Sequence, residues 1–316
     1  MNLHFRPLSV AEIPAACQLL DDAYTRQLKR LFGNSPRGRW PSFPSEKMQA
    51  YVQREQEGVR VGLLKDEIVT LNICRAFGHL GWFHSLAVRP ALQGRGLGRQ
   101  AVADGERHLQ SLGVTLIGLM TWPSALGNVG FYHRLGYQAA GLSAHAYRRA
   151  HIPLTTGASP LDAIMLSRLF GSTRERAELA AAELCHSLFP GLDYTPWLRW
   201  TVKQRLGDVM LLGRGEQLVA LALCHTRRQS DWLEGKLLLM HPDLGEEERL
   251  WVLEHVRRWA AREHRGSYGF PLDLFDRATT ALLLRHHFRL FGDSMLQMFK
   301  GALPARRGVH LVRFSG

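Results

Sequence analysis

The chain has 316 residues, which is enough for about two domains of average size. With 46% hydrophobic and 22% charged residues, it has the composition of a globular protein and not that of a disordered or fibrous one. Its apolar runs are far shorter than the roughly 20 residues that span a bilayer. No secretory signal is visible at the N-terminus, so we expect a cytoplasmic protein without a membrane partner.

The net charge is +12, and the excess lies mostly in the first half of the chain. Residues 1–158 hold 18 basic and 10 acidic side chains, whereas residues 159–316 hold 22 and 18. A basic surface attracts nucleic acids, membranes or small anions. Because no aromatic-basic motif of a nucleic-acid-binding fold is present, we expect no specific nucleic-acid partner, and part of the charge can serve an anionic cofactor.

The four cysteines, Cys17, Cys74, Cys185 and Cys224, lie more than 30 residues apart. No Cys-x-x-Cys motif exists, so neither a metal site nor a redox site is expected. We interpret them as reduced, buried thiols of a cytosolic protein.

Hydrophobic periodicity and turn residues predict alternating helices and strands in the first half. Ser9 is a candidate N-cap for the first helix, and the proline- and glycine-rich stretch Gly33 to Pro44 is a loop. A β-meander followed by βαβ crossovers indicates an α/β sheet. The predicted strands are 3–8, 59–64, 68–77, 82–88, 114–121 and 137–148, and the predicted helices are 11–31, 45–57, 94–112 and 124–135.

The same order recurs after His151 to Pro160, which we interpret as a linker. Arg89-Pro90 matches His241-Pro242 at an offset of 152 residues, and the segment 136–141 matches 287–292 at an offset of 151. Such a constant offset indicates an internal duplication. We therefore predict a domain at 1–150, a linker at 151–160 and a second domain at 161–316. The run Val309 to Phe314 is an extra strand that could complete a sheet, including that of the first domain.

The segment 82–98, Trp-Phe-His-Ser-Leu-Ala-Val-Arg-Pro-Ala-Leu-Gln-Gly-Arg-Gly-Leu-Gly, reads as a strand, a proline turn and a glycine-rich turn that opens a helix. Glycines allow close approach of a ligand to the backbone, and the helix N-terminus attracts anions, so the segment predicts a diphosphate site. Arg99 replaces the third glycine of a dinucleotide motif, and no Walker Gly-Lys-Ser/Thr is present. The pattern Gln93-Gly94-Arg95-Gly96-Leu97-Gly98 fits neither.

With Leu86-Ala87-Val88-Arg89-Pro90 before it, this pattern resembles the acyl-CoA motif of the GNAT superfamily of N-acyltransferases. Phe131-Tyr132-His133-Arg134-Leu135-Gly136-Tyr137 resembles the family's second motif, Phe-Tyr-x-x-x-Gly-Phe. The resemblance covers about residues 3–148. It implies an α/β fold with two GNAT-like domains, each a mixed, mostly antiparallel splayed sheet flanked by helices.

The resemblance also implies acetyl-CoA as acyl donor and an amine, on a small molecule or a peptide, as acceptor. Leu86, Ala87 and Val88 would pair with the pantetheine arm, with a backbone N–H near Val88 as oxyanion donor. Ala125 and Asn128 exchange the places that Asn and Ala hold in many members, so Asn128 or Ser124 could bind pantetheine instead. The diphosphate would be held by the turn residues Gln93, Gly94, Arg95, Gly96, Leu97, Gly98 and Arg99.

Two residues are candidates for acid-base work. Tyr132 matches the tyrosine that often protonates the leaving thiolate in the family. His84 aligns with a strand-four histidine that arylalkylamine-type members use as base or to position water, and strand periodicity places it on one face with Trp82 and Leu86. His79, Glu46 and a water chain remain alternatives for the base.

The second domain is expected to have lost its cofactor site. At the offset of 152, the glycine turn becomes Gly245-Glu246-Glu247-Glu248-Arg249-Leu250 and His84 becomes Lys236, while Tyr132 becomes Leu283 at 151. A structural or acceptor-shaping role follows. We therefore predict an acetyl-CoA-dependent N-acetyltransferase, with a non-catalytic acyl-CoA sensor as the alternative. Arg37, Arg39 and Trp40 in the Gly33 to Pro44 loop could contact the acceptor; neither its identity nor the oligomeric state can be read from the sequence.

Overall fold

The structure is a computed structural model that describes residues 1–35, 38, 41–226, 230–305 and 307–313. Its first half follows the predicted order, with a 3₁₀ turn before the first helix in which Ser9 and Glu12 form a capping box. Arg37, Arg39 and Trp40 lie outside the described residues. The elements of this half are β1 His4–Pro7, α1 Ile13–Phe32, α2 Ser45–Arg54, β2 Val59–Leu64, β3 Glu67–Phe77, β4 Leu80–Val88, α3 Leu97–Ser111, β5 Leu116–Thr121, α4 Leu126–Arg134 and β6 Gln138–Arg149.

The second half repeats this order of elements and adds one more strand, so the duplication that the residue offset predicts is present in the fold. Among the described residues of segment 151–160 there is neither helix nor strand. The elements are β7 Asp162–Met165, α5 Gly171–Leu188, α6 Thr195–Lys203, β8 Gly207–Arg214, β9 Gln217–His225, β10 Trp232–Met240, α7 Glu246–Arg262, β11 Ser267–Asp273, α8 Arg277–Arg285, β12 Arg289–Lys300 and β13 Val309–Val312.

The chain divides into two compact units that exchange segments between the halves. Unit 1 comprises residues 1–139 and 298–302, and unit 2 comprises residues 140–297 and 303–316. In unit 2, β6 pairs antiparallel with β11 along its length, from Ser143–Asp273 to Arg149–Ser267. In unit 1, the end of β12 lies beside β5, where the Phe299 ring packs edge-on against Trp82 at 5.8 Å. The units thus differ from the predicted halves at 140–150 and 298–302.

The sheet of unit 1 is antiparallel from β1 to β4 and parallel between β4 and β5. Its core lies between the sheet and the helices α1 and α2, where Leu20, Met48 and Leu71 are fully buried. The β4–β5 register ends at Phe83 and Leu119, so the two strands separate over the rest of β4. The predicted fold class, a mixed and mostly antiparallel splayed sheet flanked by helices, is confirmed.

The sheet of unit 2 has the same pattern, with β7 to β10 antiparallel and β10 parallel to β11 over Trp232–Glu234. Here the space beside the second half of β10 is filled by the chain's own last strand. β13 pairs antiparallel with β10 from Met240–Val309 to Leu237–Val312, and the Arg313 N–H donates to the Lys236 carbonyl at 2.8 Å. The expectation that this run is an extra strand is confirmed, but it completes the sheet of unit 2 and not that of the first domain.

Three local differences from the sequence-based elements have simple causes. The helix predicted from Gly94 begins only at Leu97, because Gly94 and Gly96 have left-handed φ values of 80° and 81°. The helix predicted to reach Glu57 ends at Arg54 and is followed by a 3₁₀ turn. Strand β7 was not predicted, since four residues carry too short an alternation to be recognised.

No helix of the described residues is long and apolar enough to cross a membrane.

Candidate active site

A cavity of about 670 Å³ opens in unit 1 where β4 separates from β5. Its walls come from the second half of β4, the turn that precedes α3, the start of α4 and one side of α1. Eleven of the twelve residues predicted to hold the cofactor line it; the exception, Arg95, is exposed beside it. The eleven are Leu86, Ala87, Val88, Gln93, Gly94, Gly96, Leu97, Gly98, Arg99, Ser124 and Asn128.

The free edge of β4 gives the cavity its hydrogen-bonding wall. On one side, Ser85 to Val88 pair with Ile73 to Thr70 of β3, whereas the register with β5 has already ended. The backbone groups that would pair with a fifth strand therefore face the cavity, as they do at any sheet edge. An extended ligand arm can add to such an edge in the way that a peptide adds a strand.

The glycine turn leads from this edge to the N-terminus of α3. Gly96 is the N-cap residue with φ 81° and ψ 0°, a backbone conformation that residues with a Cβ atom rarely adopt. Gly98 is restricted by packing, because an added Cβ would lie 3.4 Å from the Phe131 ring. The Gln93 side-chain amide donates to the Val88 carbonyl at 3.1 Å and ties the turn to β4. The first N–H groups of α3 are thus free to bind an anion at the end of the cavity.

Four arginines on the cavity wall add positive charge around this turn. All four are exposed, and among the described residues none of them is in an ion pair with a carboxylate. The positive potential of such a group attracts phosphates at a distance. Sequence reasoning found only one of them, because helix periodicity does not show which helix face borders a ligand cavity. They are Arg26 and Arg30 of α1, Arg99 of α3 and Arg134 of α4.

Tyr132 lies on the cavity wall with its side chain largely buried at 9% exposure. Burial raises the pKa of the Tyr132 phenol well above its ordinary value, and the nearby Tyr24 phenol adds to this effect. No other described residue hydrogen bonds to its hydroxyl. The phenol is therefore protonated at neutral pH and able to donate into the cavity, as a general acid must be.

His84 does not line the cavity, because both of its ring nitrogens face protein groups. Nε2 lies 2.8 Å from the Tyr51 hydroxyl of α2, and Nδ1 lies 3.0 Å from the Ser85 hydroxyl. The β3–β4 register passes from Phe83 directly to Ser85, so His84 is the extra residue of a β-bulge.

The bulge corrects the prediction that Trp82, His84 and Leu86 share a face. Leu86 pairs with Asn72, whose side chain donates to the Ala101 carbonyl of α3. Directly opposed residues share a face of the sheet, so Leu86 lies on the α3 side, whereas His84 contacts α2. Strict two-residue alternation fails at a bulge because one strand gains a residue that its partner lacks.

The other candidates for the base lie away from the cavity lining. His79 is exposed in the β3–β4 turn, where its carbonyl accepts from Thr115 and Leu116. At about 3.3 Å per strand residue, it is about 16 Å along β4 from His84. Glu46 is exposed in the first turn of α2. The pantetheine candidates Ser124 and Asn128 both line the cavity, and Asn128 Nδ2 lies 3.4 Å from the Thr121 hydroxyl.

The equivalent region of unit 2 differs at each of these points. Gly245 has an ordinary φ of −67°, and Glu248 accepts from its backbone N–H in a capping box that satisfies the start of α7 internally. Lys236 is 1% exposed and its Nζ lies 2.8 Å from Glu234. Leu283, in the place of Tyr132, is buried in the core.

Comparisons with known proteins agree with this geometry. The sequence model of the acetyltransferase (GNAT) family matches residues 18–137. No curated protein matches the chain.

Three solved structures resemble the whole chain in fold. A putative acetyltransferase from Pyrococcus horikoshii is 15% identical with a TM-score of 0.62, over 95% of this chain and 90% of that one. A GCN5-related N-acetyltransferase from Sphaerobacter thermophilus is 17% identical with a TM-score of 0.61, over 97% of each chain. A tandem GNAT protein from the clavulanic acid biosynthesis pathway is 14% identical with a TM-score of 0.55, over 96% of this chain and 100% of that one.

The matched segment contains α3, α4, the glycine turn and Tyr132, so the family assignment and the cavity concern the same residues. Members of this family transfer an acyl group from an acyl-CoA to an amine. Residues 18–137 are thus similar to the acetyltransferase (GNAT) family, and the second half of the chain repeats the order of helices and strands of the first.

Proposed function

We propose that unit 1 transfers an acetyl group from acetyl-CoA to an amine by direct attack of the amine on the thioester. The observation that supports this best is the continuity of one cavity from the glycine turn at the start of α3, along the free edge of β4, to Tyr132. A diphosphate, a pantetheine arm and a leaving sulfur can be accommodated along that path in their covalent order.

The residues present fit an acyl-CoA on grounds of charge and shape. The edge of β4 offers backbone hydrogen bonds to the amide-bearing arm, and a backbone N–H near Val88 would stabilise the oxyanion that forms on attack. Gly94 and Gly96 keep the turn free of side chains, and the arginines around it neutralise phosphate charge. No described carboxylate lines this cavity to oppose that charge.

Bond making and breaking then need one net proton transfer. The amine nitrogen forms a bond to the thioester carbon, the carbon–sulfur bond breaks, and the nitrogen loses a proton while the sulfur gains one. We assign Tyr132 to the sulfur, because its phenol is protonated and faces the cavity. His84 is our candidate for the nitrogen side, and it acts through the groups that occupy its two ring nitrogens.

Unit 2 is assigned a non-catalytic role. β13 pairs with the edge of β10 that a cofactor arm would need, and Glu248 caps the start of α7. In the place of Tyr132 this unit has Leu283, which is buried. The four cysteines are free and buried in the structure, which supports a reducing, cytoplasmic location.

An acceptor panel that follows CoA release tests the function. Amines of small molecules and peptides are offered with acetyl-CoA to the wild-type protein and to Tyr132→Phe. We expect at least one amine to release CoA with the wild type and much less with the variant. Binding of acetyl-CoA with no CoA release from any amine would favour the alternative, a non-catalytic acyl-CoA sensor.

A further inference from the structure

Another cavity, of about 510 Å³, lies in unit 2 between the first half of α5 and the second half of α6. It has no lining residue in β10, α7 or α8, which correspond to the elements that hold the glycine turn and Tyr132 in unit 1. Pockets for small molecules have volumes of about 300 to 1,000 Å³, so the space suits one. Five of the six lining residues are charged, so the cavity is not a packing defect of the apolar core. The six are Gly171, Arg174, Glu175, Glu178, Arg199 and Lys203.

Glu178 holds two arginines at this cavity. Its side chain is 9% exposed, and its two carboxylate oxygens accept from different residues. Oε1 accepts from Arg174 Nε at 2.9 Å, and Oε2 accepts from Arg199 Nε at 2.6 Å. Burial alone would raise the pKa of Glu178, but the hydrogen bonds from both arginines lower it overall. The carboxylate is therefore ionised at neutral pH and fixes both guanidinium groups.

Each of these guanidinium groups has donors left for a ligand. A guanidinium carries five N–H groups. Among the described residues, the side chains of Arg174 and Arg199 each make a hydrogen bond only through Nε. The two Nη atoms of each arginine are therefore available to a molecule in the cavity. Planar, charged forks of this kind match the oxygen pairs of carboxylates and phosphates.

The arrangement exceeds what a link between two helices requires. The bond from Arg199 to Glu178 joins α6 to α5, whereas Arg174 lies on the same helix as Glu178, one turn before it. The Arg174 bond thus adds no connection between the helices, and ion pairs near the surface contribute little to stability. What it adds is a second oriented guanidinium at the same cavity.

The balance of charges indicates the kind of ligand. Three cations line the cavity against two carboxylates, which leaves one positive charge in excess. Lys203 is exposed and has no ion-pair partner in the described part of the chain, so its ammonium is available as well. Glu175 is exposed in the same lining and repels a polyanion such as a nucleic-acid strand. A single small oxyanion matches the excess charge.

We propose that this cavity binds the carboxylate or phosphate group of a small molecule through Arg174, Arg199 and Lys203, with Glu178 as the positioning residue. Binding is reversible and electrostatic, since the oxyanion replaces water at the guanidinium and ammonium N–H groups. The site is separate from the acyl transfer proposed for unit 1 and gives unit 2 a ligand of its own.

Nitrogen-15 NMR of the arginine Nε–H groups tests the site in the full chain, because Arg174 and Arg199 line this cavity and not that of unit 1. Inorganic phosphate or citrate is titrated at constant ionic strength, and the two probes distinguish a phosphate ligand from a carboxylate ligand. With at least one of them, both signals should shift and saturate with one common Kd. Signals that stay unchanged, or that drift without saturation, with both anions would overturn the proposal.

Three substitutions separate a built site from general surface charge. Lys203→Gln should raise that Kd about tenfold, because a charge-assisted hydrogen bond is lost. Arg176→Gln removes the same charge from an exposed position of α5 outside the cavity and should leave the Kd within a factor of two. Glu178→Gln makes the cavity more positive but releases the arginines, so it should weaken binding. Equal losses in the first two variants would show unspecific attraction, and tighter binding in Glu178→Gln would refute the positioning role.

Discussion

Lys236 occupies in β10 the position that His84 occupies in β4, because each is the extra residue of a bulge in its own sheet. The β9–β10 register passes from Gly235 to Leu237, as the β3–β4 register passes from Phe83 to Ser85. Both bulges come where the parallel partner strand is lost. The two halves therefore share the β-bulge but differ in the side chain that it carries. In the second half a buried, ion-paired lysine replaces the imidazole.

We predict one acetyl-CoA site per chain. In unit 2 the edge of β10 that corresponds to the cofactor edge of β4 is paired with β13, and Glu246 to Glu248 stand where the diphosphate would lie. Two unit charges of like sign 4 Å apart repel by about 1 kcal/mol in water and by more in a drier site. Isothermal titration should give a stoichiometry of one, and a second site of comparable affinity would contradict this reading of unit 2.

The glycine turn can be tested with a matched pair of substitutions. Gly96→Asn and Gly96→Asp have nearly equal volumes, and both residue types tolerate the left-handed conformation better than others do. The added side chain meets open space, so the fold should survive in both. Only aspartate places a negative charge at the start of α3, and we expect at least a tenfold greater Kd for acetyl-CoA than with asparagine. Equal acetyl-CoA affinities of the two variants would contradict the assignment of the diphosphate to this turn.

Tyr132→Phe should lower kcat by about 10²- to 10⁴-fold with little change in acetyl-CoA affinity, as expected for a lost general acid. Because burial keeps the pKa of Tyr132 well above the ordinary value of about 10, the phenol stays protonated across the physiological range. The wild-type rate should therefore show no alkaline decline due to Tyr132 between pH 7 and 9. Turnover within a factor of two of the wild type would make this tyrosine a packing residue.

The wall of the cavity formed by the β4 edge and the glycine turn was predictable because it is made of contiguous sequence. Val88, Gly94 and Gly96 belong to one short motif, and its glycines predict the left-handed turn that the backbone adopts. Tyr24, Arg26 and Arg30 lie on one helix whose apolar periodicity reports the buried face only. Which part of its remaining surface borders a cavity depends on tertiary packing, so no local pattern could identify them.

The pairing of strands and the bulge at His84 also could not be predicted from the sequence. A strand pattern gives the alternation of β6 but not the identity of β11 as its neighbour, because the same apolar face suits several partners. No residue type in β4 marks the bulge at His84, so the assumption of two-residue alternation put Leu86 on the wrong face of the sheet. The offset of 152 residues nevertheless placed Lys236 correctly, since a duplication transmits such irregularities unchanged.

Glu55, at the end of α2, should make stability depend on pH. Burial raises the pKa of Glu55 to about 7, from an ordinary value of 4.5. Between these values the unfolded chain releases a proton that the folded chain keeps, so stability falls as pH rises from about 4.5 to 7. Glu55→Gln should be more stable than the wild type at pH 8 and similar to it at pH 4, by urea unfolding. Glu57→Gln, an exposed neighbour, controls for lost charge, and parallel curves for both variants would contradict the assignment.

The last prediction concerns β13, which occupies in unit 2 the place of a cofactor arm. Leu311 is 2% exposed and pairs with Leu238, whereas Leu303 on the preceding segment is 48% exposed. Truncation of a buried leucine to alanine typically costs 2–5 kcal/mol, so Leu311→Ala should lower the unfolding midpoint clearly. Leu303→Ala, the same chemical change at an exposed position, should shift stability by no more than about 0.5 kcal/mol.

Acetyl-CoA affinity separates this account from docking of the tail on the first domain. A strand confined to unit 2 leaves the cavity of unit 1 intact, so Leu311→Ala should keep the wild-type Kd for acetyl-CoA while it loses stability. Equal stabilities of the two alanine variants would show that β13 does not fill the splay. A weakened Kd in Leu311→Ala alone would instead place the strand against the cofactor-binding sheet. Only lost stability with an unchanged Kd in Leu311→Ala agrees with a second unit in which β13 fills the place of a cofactor.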